Sequence, residues 1–263
     1  MKIGICVGVQ EAPEMIRLAA ELGYDYVELP LAPVMELDDE GFSRIKQILA
    51  DERIDCECMN VFIPAAVRLT GADADEAKIR EYANGALARA HDIGAGIVVL
   101  GSGGARNIPE GFSREKAFEQ LARALVVISG AAAKFGITIA IEPLNRGETN
   151  VIHNLGDADK LMKATGRANI KVLLDYYHFM LESDSPDTLR RMLREGKIVH
   201  SHFAEPVERA YPKTVKPEYA AIFDLLRSEG YDARCSIEAR LGNPGLPRSE
   251  METGLYVLRK MTI

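Results

Sequence analysis

The sequence predicts an α/β protein built as a single (β/α)8 barrel over residues 1–263, and three observations predict it. Short apolar segments alternate with amphipathic ones eight times along the chain. No linker, low-complexity tract or charge run interrupts the alternation. Each of the last four apolar segments ends in a carboxylate or a histidine. Strict alternation calls for a parallel sheet, and eight units call for closure. An open doubly wound sheet would usually carry a Gly-x-Gly-x-x-Gly turn after its first strand, and Val7-Gly8-Val9-Gln10-Glu11 does not fit that pattern.

The first strand spans Ile3 to Val7. Pro13 then suits the first turn of a helix, with Met15, Leu18, Ala19 and Leu22 on one face and Gly23 as its stop. Tyr26 to Pro30 is strand two, and Asp38 and Asp39 precede a helix whose stripe is Phe42, Ile45, Ile48 and Leu49. Cys56 to Ile63 is strand three, closed by Pro64. A helix from about Asp75 to Gly94 leads to strand four, Ile97 to Leu100, and to the turn Gly101-Ser102-Gly103-Gly104. Ser113 N-caps the next helix, which Gly136 ends. Strand five is Thr138-Ile139-Ala140-Ile141, and Glu142-Pro143 terminates it. A helix near Asp157 to Thr165 precedes strand six, Ile170 to Asp175, and Pro186 opens a short helix. Strand seven is Ile198 to His202, followed by a helix opened by Pro217 and ended by Gly230. Strand eight is Arg234 to Glu238, and a last helix runs from about Arg248 to Lys260.

The composition, 47% hydrophobic and 27% charged, is that of a globular chain long enough for a large core. Net charge is −7 with no Lys/Arg cluster, which argues against a nucleic-acid partner. No apolar run reaches the length of a membrane span, and Met1–Val7 is too short for a signal-peptide core, so a soluble, cytoplasmic protein without a membrane partner is expected. Cys6, Cys56, Cys58 and Cys235 all fall in strands and read as small core residues. Cys56 and Cys58, two apart, are expected on one face.

In a barrel, chemistry sits at the C-terminal ends of the strands. Glu142, Asp175, His202 and Glu238 all fall there, on strands five to eight. Three carboxylates brought together repel one another unless a cation joins them. An oxygen-rich set with one imidazole suits Mn²⁺, Mg²⁺ or Co²⁺, and suits Zn²⁺ less because no thiolate takes part. Taken singly, a strand-end Glu reads as a loop-facing charge and Asp175 as a cap; the functional reading rests on their coincidence in consecutive strands. His200 shares a face with His202 and reads as hydrogen-bonding support one layer down. Glu28, Asn60 and the turn Gly101 to Arg106 are candidates for the pocket wall, while Arg209 and Arg240 to Gly245 are candidates for gripping a phosphate.

The segments Ile141-Glu142-Pro143-Leu144-Asn145-Arg146, Leu174-Asp175-Tyr176-Tyr177-His178, His200-Ser201-His202 and Ser236-Ile237-Glu238 resemble the xylose-isomerase-like TIM barrels of the sugar phosphate isomerase/epimerase family. Within that family the likeness is to ketose 3-epimerases and hydroxypyruvate isomerases. The resemblance implies that Glu142, Asp175, His202 and Glu238 bind one divalent cation and that Glu142 and Glu238 form the acid/base pair. It also implies that His178 and Glu148 contact substrate. The epimerases place an arginine six residues after the second histidine of His-x-His; here that position is Glu208, and the arginine follows as Arg209. The implied reaction is isomerisation or epimerisation of a small carbohydrate or keto-acid, through proton abstraction beside a carbonyl and a metal-stabilised enediolate.

Rival chemistries on the same scaffold are a dehydratase of a cyclic hydroxy acid, a non-catalytic sugar-binding barrel, and a three-zinc endonuclease. The last needs more strand-end histidines than five in total provide. Substrate identity, phosphorylation and association into a homo-oligomer are left open by the sequence.

Overall fold

The computed structural model describes residues 1–243 and 245–262, so Pro244 of the phosphate-grip candidate Arg240 to Gly245 lies outside the described residues. The strands are β1 (Lys2–Cys6), β2 (Tyr26–Pro30), β3 (Asp55–Asn60), β4 (Ile97–Leu100), β5 (Thr138–Ile141), β6 (Ile170–Asp175), β7 (Ile198–Phe203) and β8 (Arg234–Ile237). Each pairs in parallel with the next, and β8 pairs with β1, closing the barrel.

The helices are α1 (Ala12–Leu22), α2 (Leu31–Met35), α3 (Asp39–Glu52), α4 (Glu76–Asp92), α5 (Gly103–Arg106), α6 (Arg114–Ala133), α7 (Leu155–Thr165), α8 (Tyr176–Leu181), α9 (Pro186–Arg194), α10 (Pro217–Ser228) and α11 (Pro247–Met261). Their signals act as the sequence predicts. Gly23 adopts φ 84° and returns its N–H to Ala19 and Ala20, while Asp38, Asp75 and Ser113 accept from backbone N–H groups one turn on. Among the described residues no helix is long and apolar enough to cross a membrane.

Three short helices depart from the sequence reading. The Gly-rich turn contains a helical turn, α5. Leu31–Met35 winds into α2 around Pro33. Tyr176–Leu181 forms α8 directly off the strand, because Asp175 Oδ1 accepts from the His178 N–H at 3.1 Å and caps it. Its run of aromatics has no helical stripe to reveal it.

Two irregularities set the register. Between β2 and β3 the pairing steps from Val27↔Cys56 to Glu28↔Cys58, leaving Glu57 as the extra residue. Cys56 and Cys58 therefore do not share a face, contrary to the spacing argument. Cys56 packs in the large core under the helices, and Cys58 joins Tyr26, Ile97, Val99, Ala140 and Leu173 in a small separate cluster filling the barrel. Between β6 and β7 the pairing steps from Val172↔Ile198 to Leu173↔His200, which brings His202 level with Asp175. Above the inner cluster lies a polar layer of Glu28, His200 and Ser236, all fully buried.

Asp159 on α7 ties this helix to its neighbours. Its carboxylate meets Lys163 at 2.9 Å, Lys197 at 2.7 Å and Arg191 of α9 at 3.0 Å. Burial opposes the charge, yet Lys197, Lys163 and Arg191 hold its pKa down to about 2. A depressed carboxylate contributes stability above its unfolded pKa and loses it as pH falls through the folded value. Screening at the exposed Lys163 and Arg191 limits the contribution to about 1–2 kcal/mol. Urea unfolding of wild type and Asp159→Asn should show that gap at neutral pH and see it vanish as pH drops from about 4 to about 2. A gap that stays constant down to low pH overturns this assignment.

Candidate active site

The four strand-tip residues meet at the barrel mouth. Glu142 follows β5, Asp175 ends β6, His202 lies in β7, and Glu238 follows β8. One ligand atom from each lies within 4.8 Å of all the others. His202 Nδ1 is 3.4 Å from Glu142 Oε1 and 3.2 Å from Glu238 Oε2. Neither His202 Nδ1 nor Glu142 Oε1 has a hydrogen-bond partner, although both are buried. Unpartnered ligand atoms converging from three carboxylates and an imidazole fit a divalent cation. Bound there, the cation would be held by Glu142, Asp175, His202 and Glu238.

Alternation explains the convergence. Ala140 and Glu142 share the inner face, as do Leu173 and Asp175, His200 and His202, and Ser236 and Glu238. Small, fully buried Ala140 and Ser236 sit below the two glutamates. Gly101, at the end of β4, leaves room beside them: a Cβ there would overlap Glu142 Oε2.

The charges are strongly coupled. Burial raises the Glu142 carboxyl, with Glu238 and Asp175 adding repulsion against the pull of His202. Burial also opposes ionisation of Glu238, but His202 and Arg209 hold it down to about 2. Burial disfavours charge on His202, yet Glu28 and Glu238 hold its pKa well above the usual imidazole range.

His178, the first residue carried over for substrate contact, is buried on α8. Its Nδ1 accepts from the Asn145 backbone N–H at 3.1 Å, which fixes the ring proton on Nε2. Nε2 is unpartnered and lies 3.9 Å from both Glu148 Oε2 and Asp175 Oδ2, so its N–H points into the site. Glu148 is partly exposed and accepts from Asn145 Nδ2 at 3.1 Å. Arg209 reaches the cluster despite its shifted position. It pairs with Glu238, lies 3.7 Å from Asp175 and 3.5 Å from Glu148, and stacks 4.9 Å over Tyr177. The turn that presents it has two successive left-handed residues, Glu208 (φ 61°) and Arg209 (φ 51°).

Three lesser candidates are relocated. Glu28 is no pocket wall: it is fully buried below the cluster, with Oε1 3.0 Å from His202 Nε2 and Oε2 2.8 Å from His200 Nε2. His200 is thus the supporting group the sequence reading favoured. Arg106 is no wall either, being fully buried and donating to the Leu100 carbonyl at 3.0 Å. Arg209, surrounded by carboxylates, is a poor grip for a phosphate. Asn60 does meet the cluster, donating to Glu238 Oε1 at 3.0 Å. Sequence reasoning did not find Asn145, which orients both His178 and Glu148; its place three residues after Glu142 was the available signal.

An L-ribulose 3-epimerase of Mesorhizobium japonicum is 28% identical over 226 residues, covering 83% of this chain and 72% of the relative. A 2-oxo-tetronate isomerase of Cupriavidus necator is 30% identical over 138 residues, covering 51% of this chain and 50% of the relative. Among solved structures, a D-psicose 3-epimerase of Clostridium cellulolyticum with D-tagatose superposes with a TM-score of 0.88 at 19% identity, covering 100% of this chain and 99% of that one. A family model described as a xylose isomerase-like TIM barrel matches residues 16–261. With that match and a closed eight-stranded parallel barrel, the chain belongs to the xylose isomerase-like TIM barrel family.

Proposed function

We propose that this protein is a divalent-metal-dependent isomerase or epimerase of a sugar, sugar phosphate or small keto-acid. The enzyme class is that of its named relatives, which are epimerases and isomerases. The observation that carries the metal-dependent reading is the cluster of Glu142, Asp175, His202 and Glu238, with ligand atoms within 4.8 Å and two of them buried and unpartnered. Its three oxygens and one nitrogen favour Mn²⁺, Mg²⁺ or Co²⁺. Bound there, the cation supplies Lewis-acid stabilisation of the negative charge that develops when a proton leaves a carbon beside a carbonyl.

The residues of the chain do the rest. Glu142 and Glu238 approach from β5 and β8, so a substrate between them presents a face to each. One carboxylate takes the proton from the carbon beside the carbonyl. Return to that carbon by the other carboxylate, from the opposite face, gives epimerisation; return to the neighbouring carbon gives isomerisation. His178 donates its Nε2–H to a substrate oxygen, Glu148 accepts from a hydroxyl, and Arg209 steadies Glu238 between turnovers.

The test is solvent exchange. Ketoses, their phosphates and small keto-acids are incubated in D₂O with Mn²⁺ or Mg²⁺, and with chelator-stripped protein as control. The expected result is one deuterium at the carbon beside the carbonyl, with product mass otherwise unchanged, and no exchange without metal. Loss of water from the substrate would make the enzyme a dehydratase. Exchange that survives stripping would remove the metal from the chemistry.

A further inference from the structure

We propose that Glu28 is the positioning residue of the metal centre: from beneath the cluster it orients His202 so that Nδ1 is free to bind the cation. The inference rests on the metal-dependent reading above. A carboxylate can only accept, so the 3.0 Å contact between Glu28 Oε1 and His202 Nε2 keeps a ring hydrogen on Nε2 and makes Nδ1 the nitrogen available to a cation. Nδ1 faces Glu142 and Glu238.

Glu28 is itself held from other strands. Oε2 lies 2.8 Å from His200 Nε2 and accepts from the Ser236 hydroxyl at 2.6 Å. With that hydrogen committed, Ser236 Oγ takes its own from the Tyr26 hydroxyl at 2.8 Å. Donors on β7 and β8 thus fix both carboxylate oxygens of a residue on β2. The glutamate cannot rotate without stranding buried donors.

A purely structural role leaves the charge unexplained. Among the described residues no Lys or Arg pairs with Glu28; its ion-pair partners are the two imidazoles. A fourth carboxyl group sits beneath the other three, with the His202 ring between the layers. A cation on Nδ1 balances both layers, and carboxylate–imidazole–metal relays of this kind raise the affinity of the ligand they orient.

The test is Mn²⁺ titration of the chelator-stripped full chain, read by electron paramagnetic resonance, for wild type, Glu28→Gln and Ser236→Ala. Pulsed measurements of the ¹⁴N coupling from His202 and metal-free unfolding midpoints accompany it. Glu28→Gln is expected to weaken Mn²⁺ binding about 10- to 100-fold and to change the ¹⁴N coupling. Ser236→Ala is expected to weaken binding in the same direction, by less. Wild-type affinity and coupling in Glu28→Gln overturn the proposal, even if its metal-free midpoint drops, because that pattern is a structural role alone. Should Glu28→Gln not fold, wild-type affinity in Ser236→Ala overturns it instead. A wild-type protein that takes up no Mn²⁺, Mg²⁺ or Co²⁺ overturns the metal-dependent reading itself, an outcome distinct from tight binding that ignores Glu28.

Discussion

Replacing Glu142 or Glu238 with glutamine is expected to lower turnover by about 10²-fold or more while the cation stays bound. Glutamine keeps the carbonyl oxygen that can ligate and loses the group that takes up a proton. The two variants should also differ from each other. If the acid/base roles are divided between opposite faces of the substrate, one variant blocks exchange of one epimer's proton and the other blocks the reverse direction. Solvent-deuterium uptake measured from each epimer separately checks this, with metal content determined on the same samples. Near-normal turnover in both variants would remove the pair from the chemistry and leave Glu142 and Glu238 as ligands only.

Gly101→Ala is expected to abolish most activity without replacing a functional side chain. The added methyl overlaps Glu142 Oε2, and its position is also 3.1 Å from Glu142 Cδ. Gly101 needs no left-handed backbone, so alanine is conformationally acceptable there and the effect is steric. Glu142 is only 4% exposed and has little room to retreat, so it must leave the cluster or the strand tips must part. Overpacking of this kind costs about 1–3 kcal/mol of stability. The larger effect is on the centre: with one of four ligands displaced, Mn²⁺ affinity should fall by at least as much as for a lost supporting contact, about 10- to 100-fold. Calorimetric titration with Mn²⁺ and a thermal melt separate the two effects. An alanine variant with wild-type affinity would mean that Glu142 is not required for binding.

Much of this architecture was legible because it follows from local rules. Short apolar runs buried on both faces mark the strands, Pro13, Pro186 and Pro217 sit in the first turns of their helices, and Gly23 ends one with a left-handed residue. The cluster was legible for a related reason: Ile139-Ala140-Ile141 and Val172-Leu173-Leu174 are too apolar to end in a charge for packing's sake. What stayed hidden depends on pairings that no single segment carries. Glu28 reads as a strand-end charge until β7 and β8 supply His200, His202 and Ser236 around it. Cys56 and Cys58 part company because β3 bulges at Glu57 against β2, and a bulge has no composition of its own here. The helix α8 is set by one cap at Asp175, a residue that reads equally well as a ligand.

The pair of left-handed residues at Glu208 and Arg209 bears on how such chains are sorted. A pattern written with fixed spacing would score this one as having traded its arginine for an acid. The molecule holds the guanidinium over the carboxylates from a turn with two successive left-handed residues. A guanidinium's destination in the fold is thus set by the turn's backbone as well as by its count along the chain.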